Sequence, residues 1–240
     1  MDKQKFVKFI DKYNLGGTVN AVILESKDNV LHTRFTTGDK SLLGILSMKN
    51  WNFENGEFGV YNTDQLLKLL SVLDNDITMV VAKAGDKAHS FKLTDSASSV
   101  NFMLSDTTVI NKPPNPQNLP QTFGLKVDVT TQFIQKFISG KSALPETDTF
   151  TVITDNNNVK VVIGYASINT NRVIIPVNVD EYQSMNLISF NANYFKDILT
   201  ANKECESATL EVSNDGLARI NFKIDDYDAT YYLVAVQDVD

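Results

Sequence analysis

The 240-residue chain contains one cysteine, Cys205, so it can form no internal disulfide and has no cysteine pair to hold a structural zinc. That scarcity points to a reducing compartment, most simply the cytoplasm. Long apolar runs are also missing. None approaches the ~18 residues needed to cross a bilayer, and the opening Met1-Asp2-Lys3-Gln4-Lys5 lacks the apolar core of a signal peptide. Glycine and proline, 11 and 6 residues, are too few for a collagen-like or low-complexity chain. Positive charge is in the minority: 22 Lys and Arg face 29 Asp and Glu, a net −7, which is not the usual balance of a nucleic-acid binder. What is present is a globular composition, 42% hydrophobic and 21% charged, able to bury a sizeable core and excluding global disorder.

Catalytic constellations are equally thin. His32 and His89 lie far apart in sequence with no ligand spacing between them, and no G-x-S-x-G occurs. Gly140-Lys141-Ser142 imitates the end of a phosphate loop, but position 135 is Gln where the leading Gly belongs. Cys205 sits between Glu204 and Glu206, whose charges disfavour a thiolate. Asp225-Asp226-Tyr227-Asp228 reads as a polar turn between strands at Arg219–Ile224 and Thr230–Val236. The competing interpretation is a metal-dependent hydrolase using those carboxylates, whose remaining ligands have no evident source. The expectation is therefore no catalysis, no metal and no cofactor.

Four of the six prolines fall between Pro113 and Pro120, near the middle of the chain. Proline removes a ladder donor and fixes φ, so this run predicts a linker at 112–122 between domains at 1–111 and 123–240. The flanking regions look alike. Phe6, Phe9, Ile10 and Tyr13 recur at helical spacing before Gly16-Gly17, and Phe133, Phe137 and Ile138 do so before Gly140, each glycine predicting a helix stop. A second helix follows in each region, Tyr61-Asn62-Thr63-Asp64-Gln65-Leu66 aligning with Phe190-Asn191-Ala192-Asn193-Tyr194-Phe195, 129 positions later. Asn and Asp near each start suit an N-cap. Strand-rich sequence comes after every helix: Thr18–Leu24, Ile77–Ala82, Ser90–Leu93 and Val100–Leu104, then Phe150–Ile153, Val159–Tyr165, Thr209–Val212 and the two strands flanking Asp225. Asp155-Asn156-Asn157-Asn158 predicts a hairpin turn. The pattern is a duplicated α+β unit, each copy two helices on a mostly antiparallel sheet.

Charge is not spread evenly over these elements. The four helices, taken as 2–13, 64–73, 130–141 and 193–203, hold nine lysines against four aspartates, so the rest of the chain is more acidic than the whole. Lys5, Lys8 and Lys12 share an arc beside the Phe6/Phe9/Ile10/Tyr13 face, Lys196 and Lys203 share another, and Lys68, Lys136 and Lys141 complete the set. On a single helix such a row is also what a solvated face looks like. Without arginine clusters or interleaved aromatics, any contact with nucleic acid is expected to be with phosphates, independent of sequence and sensitive to salt.

Asn191-Ala192-Asn193-Tyr194-Phe195-Lys196-Asp197-Ile198-Leu199, followed by Ala229-Thr230-Tyr231-Tyr232-Leu233-Val234-Ala235-Val236, resembles the closing segment of DNA sliding clamps, and Gly59-Val60-Tyr61-Asn62-Thr63-Asp64-Gln65-Leu66-Leu67 resembles a first-domain helix of their trimeric members. The resemblance implies two clamp domains per chain, three chains per closed ring, helices around duplex DNA and strands outside. It further implies a processivity factor tethering a DNA polymerase, opened by a clamp-loader ATPase, with the short form most similar to tailed-bacteriophage clamps of an infected bacterial cytoplasm, some of which also serve transcription. The DNA-facing residues would be Lys5, Lys8, Lys12, Lys68, Lys136, Lys141, Lys196 and Lys203. Head-to-tail closure would join edge strands Val100–Leu104 and Arg172–Val177, through Val100, Phe102, Leu104, Val173, Ile175 and Val177. Pro176 fits an edge and not a sheet centre. A partner peptide would dock on Leu42, Leu119, Pro120, Tyr232, Val234 and Ala235, where this chain departs from the eukaryotic pattern by having Ala235 in place of Pro. The alternative is a duplicated α+β structural or interaction protein that never touches DNA.

Overall fold

Asp2 starts the first helix, α1 (Lys3–Asn14), its carboxylate accepting the Gln4 N–H at 2.8 Å and the Lys5 N–H at 3.4 Å in the computed structural model, which describes residues 1–120, 122–155, 158–168, 170–179 and 182–236. Phe6, Phe9, Ile10 and Tyr13 are fully buried along its inner stripe. The helix ends where Leu15 turns left-handed at φ 50°, one residue ahead of Gly16. By internal contacts the chain divides into two units, Met1–Thr37 with Gly44–Pro113, and Gly38–Leu43 with Pro114–Asp240. No helix among the described residues is long and apolar enough to cross a membrane.

In the first unit α1 precedes four antiparallel strands, β1 (Val22–Lys27), β2 (Val30–Thr36), β3 (Leu42–Met48) and β4 (Gly56–Val60), ordered β4-β1-β2-β3. Asp28 and Asn29, at φ 51° and 62°, make the two-residue turn that matches strand twist between β1 and β2. Helix α2 (Thr63–Ser71) comes next, followed by the meander β5 (Thr78–Ala84), β6 (Lys87–Thr94) and β7 (Ser99–Met103). The rings of Phe6, Trp51, Phe53, Phe58 and Phe91 form one chain of contacts, with centroids 5.2–5.7 Å apart from each ring to the next.

The second unit repeats that order. Strand β8 (Leu125–Asp128) leads into α3 (Thr131–Ala143), then β9 (Thr149–Asp155), β10 (Asn158–Ile163), β11 (Val173–Val177) and β12 (Ile188–Asn191), ordered β11-β10-β9-β12. Helix α4 (Ala192–Ala201) precedes β13 (Ser207–Ser213), β14 (Leu217–Ile224) and β15 (Tyr227–Val234), which form the run β15-β14-β13-β8. Taken by position, β9 to β12 therefore reproduce β1 to β4, and β13 to β15 reproduce β5 to β7. Even β8 has a counterpart, because it pairs with β13 as Asp2 bridges Asp76 just before β5. The duplicated α+β architecture read from the sequence is the one observed.

Two local expectations change. Gly140 does not stop α3. It lies inside the helix, where a Cβ would come within 2.9 Å of Val173 Cγ1 and 3.3 Å of Ile163 Cδ1, so its role is to let the helix approach the sheet. The turn at Asp225 is tighter than expected, since Ile224 pairs with Tyr227 and Asp228 already belongs to β15. Asp155 and Asn158 do pair as hairpin ends, while Asn156 and Asn157 lie outside the described residues.

Candidate nucleic-acid interface and partner surfaces

Each unit packs its two helices against one another, α1 with α2 and α3 with α4. Their starts are fixed by side chains. Asn62 Oδ1 accepts the Gln65 N–H at 2.9 Å, and Asn191 Oδ1 accepts the Tyr194 N–H at 2.9 Å, so the two asparagines 129 positions apart cap α2 and α4 in the same geometry. Thr130 does the same for α3 through the Phe133 N–H at 3.2 Å. With Leu66 and Leu70 of α2, and Phe195, Ile198 and Leu199 of α4, held in the core, the opposite faces are left to solvent.

The eight lysines assigned to DNA separate into three groups. Lys8, Lys68, Lys136 and Lys203 are exposed. Lys5 and Lys196 are half-buried. Lys12 and Lys141 are buried at 1% and 3% exposure, and these two corrections remove them from any surface set. Lys141 folds back on its own helix end, its Nζ donating to Leu144 O at 3.3 Å and Pro145 O at 3.0 Å just past the last turn, where Leu144 O also accepts the Thr147 N–H at 3.1 Å. Lys3, also buried, donates in the same manner to Leu73 O beyond the end of α2. Helical spacing places a lysine on an arc, but neighbours distant in sequence decide whether that arc is covered.

Around the exposed lysines stand neutral hydrogen-bonding side chains that charge counting passes over: Gln4 on α1, Gln65 on α2, Gln132, Gln135 and Ser139 on α3. Helix α3 has no acidic residue at all, whereas α4 carries Asp197. Burial raises the Asp197 carboxyl above the ordinary aspartate range, with Lys196 and Lys141 opposing the shift. Helices α1 and α2 carry Asp11 and Asp64 near their lysines, so α3 is the helix best placed to take phosphate oxygens through both ionic and neutral donors.

The assigned peptide-docking residues divide in the same way. Leu42 is fully buried and Tyr232 is only 7% exposed, so both belong mainly to the core, the correction here being burial by the surrounding strands. Leu119 and Ala235 are half-buried, and Pro120 and Val234 are exposed. The strand end is held by its backbone: Val234 N–H to Ser41 O at 2.9 Å, Ala235 N–H to Gly216 O and Val236 N–H to Ser189 O, both at 2.8 Å. Val234, Val236 and Leu187 are 47%, 40% and 59% exposed, and the last two are apolar residues the sequence reading missed. Leu187 could have been found only by knowing that β12 lies beside the strand end.

Edge strands are where the sequence placed them, with β7 ending one sheet and β11 another among the described residues. Of the six assigned interface residues, Phe102 and Ile175 point into their own units and are 5% and 3% exposed, while Val100, Leu104, Val173 and Val177 are half-buried. The side chains turned outward are their neighbours, Met103 and Ile174. No group of three or more His, Cys, Asp or Glu side chains that could hold a metal ion occurs among the described residues.

The duplicated unit, with paired helices carried on antiparallel sheets, is the fold of the DNA sliding clamps. Within that class the solved structures it superposes on include proliferating cell nuclear antigens. That of Entamoeba histolytica matches with a TM-score of 0.74 at 14% identity over 98% of this chain and 96% of its own. The A. fulgidus protein bound to the C-terminal region of FEN-1 gives 0.75 at 13% identity over 100% and 98%. The PCNA2-PCNA3 complex of Sulfolobus tokodaii gives 0.73 at 11% over 98% and 97%. No protein-family model and no curated protein matches the sequence.

Proposed function

We propose that this chain is the subunit of a homotrimeric sliding clamp that encircles duplex DNA and holds a DNA polymerase at the primer end. The observation that carries the proposal is the repeat of one helix pair in both units, each presenting exposed lysine and amide side chains while the acidic residues lie mostly elsewhere. Similarity to proliferating cell nuclear antigens over nearly the whole chain supports it.

Such a protein needs no reactive group. Once closed, the ring is linked to the duplex topologically, so release requires opening a joint, and weak phosphate contacts permit sliding. A polymerase tethered to the ring stays at high effective concentration near its substrate. The exposed Leu187, Val234 and Val236, with Pro120, are the proposed docking surface for the polymerase and for an ATP-driven loader. One neighbour, the A. fulgidus protein, has a partner's C-terminal region bound, which favours a peptide of that kind. A tailed phage replicating in bacterial cytoplasm is the proposed setting, with transcription a second proposed use of the same ring.

Light scattering is expected to give three times the 26.7 kDa chain mass at high concentration, and a monomer at every concentration would overturn the ring. Replacing Lys8, Lys68, Lys136 and Lys203 by Glu is expected to shorten extension products on a primed circular template while leaving the trimer intact. Products of unchanged length would show that these lysines do not line the hole.

A further inference from the structure

The two open edges are not equivalent, and the difference follows from hydrogen-bond parity. Leu104 N–H donates to His89 O at 2.9 Å, continuing the register in which Met103 pairs with Ser90. Main-chain groups alternate sides along an antiparallel strand, so those of Val100, Phe102 and Leu104 point to β6 and those of Ser99, Asn101 and Met103 to the open side. In the other sheet Gly164 N–H donates to Thr149 O at 3.5 Å, extending the pairing of Ile163 with Phe150. Lys160 and Val162 therefore bond β9, while Val159, Val161 and Ile163 bond Val177, Ile175 and Val173 of β11. The groups of β11 left facing outward are those of Ile174 and Pro176, and Pro176 has no N–H to offer.

Resting on the clamp proposal above, we propose that β7 of one copy pairs antiparallel with β11 of the next in the register that sets Met103 against Ile174 and Asn101 against Pro176. Met103 is 52% exposed and Ile174 51% exposed, and this register covers both. The neighbouring register would set Met103 against Arg172, leaving Ile174 opposite Asn101. In the chosen register the Asn101 carbonyl meets a ring nitrogen with no hydrogen. The joint lacks one main-chain bond at its centre, which makes it a seam built to open reversibly. The proline costs its own sheet nothing, because the missing donor lies on the side away from β10.

Two experiments separate this seam from the ring it belongs to. Pro176→Val supplies the donor at an exposed position, and sedimentation is expected to show self-association tightened about fivefold per joint, the worth of one hydrogen bond. Unchanged or weaker association overturns the seam. In a Cys205→Ser background, mixing Met103→Cys chains with Ile174→Cys chains is expected to give an oxidised cross-linked pair, since directly opposed residues lie within disulfide reach. Cross-linking of Met103→Cys with Arg172→Cys in its place overturns the register. Association of the parent without the Met103–Ile174 cross-link sinks the seam and leaves the ring standing, whereas a parent that never associates sinks both.

Discussion

The two units share an order of elements and a pair of capping asparagines, yet they fill their interiors differently. In the second unit Phe137, Phe150, Phe190 and Phe195 make a stack between helices and sheet, with Phe195 4.7 Å from both Phe137 and Phe150. In the first, the aromatic chain runs from Phe6 on α1 through Trp51 and Phe53 in a loop to Phe58 and Phe91 on strands. Identical topology is thus maintained by caps, turns and strand register, while the packing that stabilises it is free to vary. The lysines are kept more closely: α1 exposes Lys8 and α3 exposes Lys136, each six residues past its N-cap, while the buried ones, Lys12 and Lys141, stand ten and eleven residues past theirs. Position is matched where the charge faces solvent and shifts where it is buried.

The largest test of that contrast is Phe195→Ala beside Phe6→Ala. Both rings are fully buried, and each truncation is expected to cost about 3–5 kcal/mol in urea unfolding. Phe195 should lie at the upper end, since it sits in contact with Phe133, Phe137 and Phe150, whereas Phe6 leaves the Trp51–Phe53–Phe58 contacts in place. The reverse order would mean that the first unit's aromatic chain is the more demanding of the two.

Next comes the fate of α3's two lysines. Lys141→Met removes the donor to Leu144 O and Pro145 O and is expected to destabilise by about 1–3 kcal/mol. Lys136→Met, on the exposed face, should change stability by less than about 0.5 kcal/mol. Equal effects would show that burial does not distinguish them.

The smallest effect concerns Asp197, which has no acidic counterpart on α3. Its folded carboxyl titrates above the unfolded one, so the folded state binds the extra proton, and that contribution is full below the unfolded pKa and fades as pH rises through the folded one. Asp197→Asn is therefore expected to raise the urea midpoint slightly at pH 7 and to leave it unchanged at pH 3. A midpoint lowered at pH 7 would contradict the assigned direction.

How much of this was legible beforehand depends on whether the signal was local. The Phe6/Phe9/Ile10/Tyr13 stripe and the Asn62 and Asn191 caps act over one helical turn, and the sequence carries them openly. Pro176 announced an edge because a missing donor is intolerable elsewhere in a sheet. Gly140 misled, since a glycine that ends a helix and one that admits a close neighbour look the same until Val173 is known to lie against it. The burial of Lys12 and Lys141, the inward turn of Phe102 and Ile175, and the exposure of Leu187 are set by partners far along the chain. Periodicity holds no record of them. Strands β2, β3, β4, β8 and β12 went unread because short runs such as Ile188–Asn191 acquire meaning only from the strands beside them.

Gly140 also has a mechanical side. With no side chain there, α3 rests almost directly on Val173, at the beginning of the strand proposed to join one copy to the next. Helix α2 similarly touches β7, the other half of that joint. In the proposed ring, any push or pull that a duplex exerted on these helices would be delivered, over one atomic layer, to that joint.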